Sequence, residues 1–226
     1  MTVIKVDITF DFVCAWCYIG KRQLEMAISL YQKTYPGGKF DIFAINWRPY
    51  YLNYGPSTHS VDKSEVADVK LADMTTEQRE KLYRRMNQIG RSVGINFKSG
   101  GKVGDTRFAH SLARLASTKE PEVLNAVVEG IFQAYHELEK DISTKEVLRE
   151  IAINSGIAAA EVDELLDSEE QVKAVDDQAE KNKEFLAGTG VPNYTVQGER
   201  FEGQPDAEDF MEAFIKAKGG NQTAAQ

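Results

Sequence analysis

Two cysteines stand in the 226-residue chain, and both fall in one four-residue stretch, Cys14-Ala15-Trp16-Cys17. The thiolate is the chemically active form of cysteine, as nucleophile and as metal ligand alike. A two-residue spacer lets the second sulfur reach back to the first, so the pair can close and open a disulfide. Cys14, at the outer end, is then the attacking thiol. Cys17 resolves the mixed disulfide formed with a substrate, an exchange that needs neither metal nor organic cofactor. Two other readings compete: half of a zinc site, or two unrelated core cysteines. Zinc takes about four ligands, and the sequence holds no second cysteine pair. His59, His110 and His136 are scattered singly, without a Cys2His2 spacing. Cys-x-x-Cys alone is a weak signal. The same pair following a strand and opening a helix is a much stronger one.

The flanking residues supply that placement. Ile4, Val6, Ile8 and Phe10 alternate with more polar residues, the period of a strand over 3–10. Leu24, Ala27, Ile28 and Tyr31 recur at helical spacing, and Tyr35-Pro36-Gly37-Gly38 stops the pattern, predicting a helix over 15–34. The dithiol thus opens a helix, where unpaired N–H groups and a partial positive charge favour a thiolate. The apolar run Phe40 to Ile45 reads as a buried parallel strand. Residues 55–75 are polar with little periodicity. Helical patterns then follow over 76–92, 105–118, 121–138, 144–154, 159–166 and 169–187. The clearest is 121–138, with Pro121 in its first turn and Val123, Val127, Ile131, Ala134 and Leu138 along one face.

After Gly188-Thr189-Gly190 the period changes again. Tyr194 and Val196, then Phe201, predict a hairpin about Gly198, and Pro205 begins a last helix with Phe210, Ala213, Phe214 and Ala217 inward. The residues from Gly219 onward read as a disordered tail. Strands at both ends of the chain need partners, and one shared sheet is the economical solution. The expected fold is α/β, β-α-β then β-β-α, with an inserted all-α block: residues 1–55 and 188–218 form one domain, 56–187 the insertion and 219–226 the tail.

Further positions bear on the dithiol. Pro192, in Gly190-Val191-Pro192-Asn193-Tyr194, cannot donate to a strand ladder, which a proline starting an edge strand already explains. In a redox fold, a cis bond there would instead set the backbone of Val191 beside the sulfurs, where an extended substrate could pair as an added strand. Trp47, Tyr50, Tyr51 and Tyr54 could line an apolar wall for an aromatic molecule or an unfolded chain. At least half of them are expected to cover the sheet end instead. Asp11 could tune the proton affinity of Cys14, or belong to the turn into the helix. The Glu- and Lys-rich 169–187 helix reads as a solvated face.

Composition narrows the partners. With 27 Lys and Arg against 35 Asp and Glu, a net charge of −8, the chain lacks the basic surface that nucleic acid or an anionic membrane demands. No apolar run reaches the length of a membrane helix. MTVIKVDITF lacks the basic start and unbroken apolar stretch of a secretion signal. The expected location is cytoplasmic, where paired thiols serve redox or metal chemistry more often than stapling.

Several stretches carry a family resemblance. Cys14-Ala15-Trp16-Cys17-Tyr18-Ile19-Gly20-Lys21-Arg22 resembles the Cys-Pro-Trp-Cys-Tyr-Ile-Gly-Lys signature of DsbA-like thioredoxin-fold oxidoreductases, in particular the FrnE-like subgroup. Trp47-Arg48-Pro49-Tyr50-Tyr51-Leu52-Asn53, the helix start from Thr106 to His110, and Gly190-Val191-Pro192 match further segments of that subgroup. The folds of 2-hydroxychromene-2-carboxylate isomerase and kappa-class glutathione transferase are related. The resemblance implies a thioredoxin fold with a helical insertion, disulfide oxidoreductase or isomerase activity at Cys14 and Cys17, and a cis Pro192. It departs at Ala15, where proline is usual, and at Asp105, where asparagine is common. Trp16 also replaces the histidine of the most oxidising relatives, removing a positive neighbour.

The leading expectation is therefore a thiol-disulfide oxidoreductase with Cys14 and Cys17 catalytic and Trp16, Val191, Pro192 and Trp47 against the substrate. No cofactor is required. Glutathione would serve as redox partner or co-substrate, a thioredoxin-type protein as reductant, and a disulfide-containing protein or small molecule as substrate; a homodimer stays open. One alternative is a glutathione-dependent or cofactor-free isomerase or transferase of an aromatic, polyketide-type compound, against which the retained Cys17 argues. Another is a client-binding, chaperone-like module without turnover.

Overall fold

The computed structural model describes residues 1–52, 59–201 and 203–223. Strand β1 (Val3–Phe10) leads through a short turn into helix α1 (Ala15–Thr34), a single 3-10 turn (Gly38–Phe40), and strand β2 (Ile42–Pro49), which runs parallel to β1. The expected alternation holds, because Ile4, Val6, Ile8 and Phe10 are all buried. Strand β2 is not the fully buried strand its apolar run predicts. It lies at the sheet edge with Ile42, Ala44 and Asn46 exposed, so one face alone, Phe43, Ile45, Trp47 and Pro49, turns to the core.

The helical block follows. A two-residue strand β3 (Val61–Asp62), helix α2 (Lys63–Lys70), helix α3 (Thr76–Ser92) and strand β4 (Lys102–Val103) come first, with β3 and β4 pairing as a separate small ribbon. Helices α4 (Arg107–Ala116), α5 (Pro121–His136), α6 (Lys145–Asn154), α7 (Ala159–Asp167) and α8 (Glu169–Leu186) complete it, each within two residues of its predicted bounds. The ribbon and α2 escape a pattern search because they are very short, and α2 buries no residue. The chain then returns as β5 (Asn193–Val196) and β6 (Glu199–Arg200), joined through Gln197 and Gly198, both at positive φ as a two-residue hairpin turn requires. The last helix, α9 (Ala207–Thr223), continues past Gly219, where the sequence pattern placed the start of a disordered tail.

The main sheet has the order β2-β1-β5-β6, with β5 antiparallel to β1, so strands from both ends of the chain do share one sheet. Helices α1 and α9 cover one face, where Tyr31, Phe43 and Phe214 meet ring to ring at 4.7 to 5.8 Å. The insertion closes over the far end of β1, where Phe10 and Phe12 pack against His110 of α4 and Phe132 of α5. Helix α8 is not simply solvated: Val175, Ala179, Asn182 and Leu186 are buried, and Asn182 donates to the Pro49 carbonyl of β2 at 2.8 Å. No helix of the described residues is long and apolar enough to cross a membrane.

Candidate active site

The dithiol sits where β1 hands over to α1. The amide of Cys14 donates to the Asp11 carbonyl (3.1 Å), forming the turn, and Cys14 is the N-cap of the helix. Its sulfur accepts a hydrogen bond from the Cys17 amide at 3.3 Å, the position a serine or aspartate oxygen takes in an ordinary cap. That is the physical gain of starting the helix at cysteine. The Cys17 N–H, which also donates to the Cys14 carbonyl at 3.1 Å, points at the attacking sulfur. The two cysteines are free thiols, near each other but not bonded. Cys14 is 7% exposed and Cys17 only 1%, so the outer position is outer in degree only. Burial, then the hydrogen bond and charge of Cys14, push the Cys17 thiol well above the ordinary cysteine range.

Facing the sulfurs is the approach to β5. The Val191–Pro192 peptide is cis, and the thiol of Cys14 points to the Val191 carbonyl at 3.8 Å. Thus Cys14, Cys17 and Val191 come together, with Pro192 buried next in the chain and Trp16 half-buried between the cysteines. Trp47 belongs elsewhere: its ring meets Phe10 edge to face at 4.8 Å, in the aromatic cluster under the insertion. Tyr51 donates to Asp176 of α8 at 2.9 Å and packs beside His110, so these rings do cover the sheet end. Tyr54 lies outside the described residues.

Two residues do more here than sequence reasoning assigned them. Asp11 is 1% exposed; its carboxylate accepts from the Leu52 amide at 2.8 Å and faces His110 Nε2 at 3.4 Å. Its backbone makes the turn while its side chain pins the segment after β2, and no local pattern marks that long-range role. His136 is also buried, and its Nε2 donates to the Phe12 carbonyl at 2.9 Å. Burial, with Lys63 nearby, lowers its pKa to about 3, so the ring is neutral at neutral pH.

Helix α1 is then fastened to the insertion by charge. Glu129 of α5 receives Lys21 at 2.7 Å, Arg22 at 2.5 Å and the Tyr18 hydroxyl at 2.8 Å. Lys21 also meets Glu25 at 2.6 Å. Burial opposes ionisation of Glu129, yet the two cations and the hydroxyl hold its carboxyl below the usual range. Among the described residues, no group of three or more His, Cys, Asp or Glu is placed to hold a metal ion.

A sheet built from both chain ends, a helical insertion and a dithiol at the first helix cap define a thioredoxin-like protein of the inserted type. The model of the DSBA-like thioredoxin domain matches residues 5–215, and the chain belongs to that family. Among solved structures it is similar to a "probable DsbA oxidoreductase" of Streptomyces coelicolor, with a TM-score of 0.78 and 24% identity over 96% of this chain and 90% of that one. It also resembles 2-hydroxychromene-2-carboxylate isomerase (TM-score 0.65, 14% identity, 98% of each chain). The cytosolic disulfide reductase DsbM of Pseudomonas aeruginosa, solved with glutathione, is a further match (TM-score 0.60, 16% identity, 95% of this chain and 98% of that one). At these identities the likeness is one of fold. No curated protein matches the sequence.

Proposed function

We propose that this protein is a thiol-disulfide oxidoreductase or isomerase of the DsbA type, FrnE-like, working through Cys14 and Cys17 in the cytoplasm. The observation that carries the reading is the cap: the Cys17 amide donates to Cys14 Sγ while Cys17 itself is sealed behind it. A sulfur that closes a helix N-terminus faces an N–H and the positive end of the helix dipole, and a buried partner is shielded from every electrophile except the sulfur in front of it.

In the reductive direction, Cys14 thiolate attacks one sulfur of a substrate disulfide. That bond breaks, a Cys14–substrate bond forms, and the departing thiolate takes a proton from solvent. Cys17 then loses its proton and attacks Cys14 Sγ, releasing the second substrate thiol. Two electrons have passed to the substrate, and the Cys14–Cys17 disulfide is restored to the dithiol by glutathione or a thioredoxin-type protein. Val191 and Pro192 border the sulfurs on the strand side and Trp16 on the helix side, a cleft for an extended disulfide-containing segment. Trp47 packs against Phe10 and is not itself a contact in this reading.

The test is a redox titration of the Cys14–Cys17 couple against glutathione, with trapping by Cys17→Ser. That variant should accumulate mixed disulfides, and Cys14→Ser should lose exchange activity. Full activity of Cys14→Ser would sink the proposal.

A further inference from the structure

Cys17 poses a chemical problem. It resolves the mixed disulfide only as a thiolate, yet it sits at 1% exposure, and the charged groups facing it, Cys14 beside it and the Asp11 carboxylate from the preceding turn, both disfavour negative charge there; a backbone hydrogen bond from Asp11 alone works the other way. A buried thiolate gains from a second donor.

Among the described residues, three buried side-chain polar atoms lack a hydrogen-bond partner: Arg22 Nε, Arg48 Nε and the hydroxyl of Tyr194. Such orphans are costly, and a native one calls for a reason. Tyr194 lies on β5 opposite Ile8 of β1, 1% exposed, its ring set edge to face against Phe210 at 5.1 Å. From there the ring reaches across to α1 and ends on Gly20. A Cβ at Gly20 would overlap the Tyr194 hydroxyl and come within 2.9 Å of the ring carbon bearing it. Gly20 stands three residues after Cys17, on the same helix face. The absence of a side chain at Gly20 is thus what admits the hydroxyl to α1, within one turn of Cys17. Burial above all, then the charges of Cys17 and Cys14, raise the pKa of the hydroxyl well above the ordinary tyrosine value. It therefore keeps its proton while both sulfurs turn over.

We propose that the Tyr194 hydroxyl is the electrostatic partner of the resolving cysteine: unpartnered in the dithiol, it turns its O–H toward the Cys17 thiolate when the mixed disulfide forms. No proton is transferred from it. The free O–H rotor supplies a dipole that stabilises the thiolate as it attacks Cys14 Sγ, and the substrate thiolate leaves with the electron pair of the broken bond. The inference rests on the dithiol reading above and adds to it the residue that lets a buried sulfur ionise.

A symmetrical nitroaryl disulfide with a coloured thiolate product separates the two steps. Attack by Cys14 releases the first coloured thiolate, and resolution by Cys17 releases the second. In Tyr194→Phe the first phase should be unchanged, while the second slows about tenfold at pH 7, the effect of removing one hydrogen bond to a charged group, and its pH profile moves to higher pH. The substitution deletes only an unpartnered atom, so the fold is kept. Gly20→Ala, which crowds the hydroxyl away, should slow the same phase. A second phase unchanged in rate and pH dependence in both variants would overturn the role of Tyr194. Loss of the dithiol reading would look different: the first phase would survive Cys14→Ser, or the wild type would show no second phase.

Discussion

Replacing Asp11 by alanine tests how the dithiol turn is held. The carboxylate, sealed from solvent, accepts from the Leu52 amide at 2.8 Å and faces His110 Nε2 at 3.4 Å. A hydrogen bond to a charged group contributes about 1.5–3 kcal/mol, and a buried donor left without a partner adds its desolvation cost. Asp11→Ala should therefore destabilise the protein by about 3 kcal/mol in urea unfolding at pH 7. Asp11→Asn should cost only about 1 kcal/mol, because the amide oxygen still accepts from Leu52 and its NH2 can face His110 once that ring carries its proton on Nδ1. The attack by Cys14 should stay close to wild type in both, since the turn itself uses the Asp11 carbonyl, which any side chain leaves in place. An alanine variant costing less than about 1 kcal/mol, or an asparagine variant as unstable as alanine, would refute the hydrogen-bond account.

Gly20→Ala should lower the melting temperature although alanine is the better helix former, because overpacking against Tyr194 costs about 1–3 kcal/mol; a raised melting temperature would show that the ring yields freely. Lys21→Met should cost about 2 kcal/mol by urea unfolding, below the usual loss for a broken buried pair because Glu129 keeps Arg22 and Tyr18; no loss would mean that the pair only offsets its own desolvation. Asp41 is a third case. Burial opposes its ionisation, but Lys218 at 2.6 Å, the Thr2 amide and the Tyr31 hydroxyl hold its folded pKa below the unfolded value. Its contribution is fully present above the unfolded pKa and is lost as pH falls through the folded one. The stability gap between wild type and Asp41→Asn should thus be constant near neutrality and shrink below about pH 4.

The parts of this fold that can be read from sequence are those held by local periodicity. Alternation sets β1, and helical spacing places α1 and the inserted helices α3 to α8; α1 and α4 to α8 each bury several residues of one stripe, whereas α3 half-buries Leu82, Met86 and Ile89 and buries Gly90. Helix α2 and the β3–β4 ribbon have no such stripe, and β2 shows why a run of apolar residues does not say how many faces are covered: its edge position comes from sheet order, a property of the whole chain. The same division runs through the site. Cys14 and Cys17 announce themselves by spacing and by their place at a helix start. Asp11, His110 and His136 do not, because their partners lie 41 to 124 residues away. Tyr194 is legible only as a strand residue until Gly20 is seen beneath it.

The insertion is more than an addition to a complete small domain. The turn that carries the dithiol, residues 11–14, presents two acceptors to the helical block, Asp11 Oδ1, whose partner oxygen already accepts from the Leu52 amide, and the Phe12 carbonyl. His110 of α4 faces the first and His136 of α5 satisfies the second. Helix α5 also carries Glu129, which collects Tyr18, Lys21 and Arg22 from the first two turns of α1. A buried carbonyl without a donor costs about as much as a lost hydrogen bond, so β1 and α1 on their own would meet at a turn with unpaired groups and a loosely held helix start. His136 is suited to the task because burial, with Lys63 nearby, keeps it neutral, with a proton to donate at Nε2. The helical block thereby stabilises the turn and the helix start on which Cys14 stands.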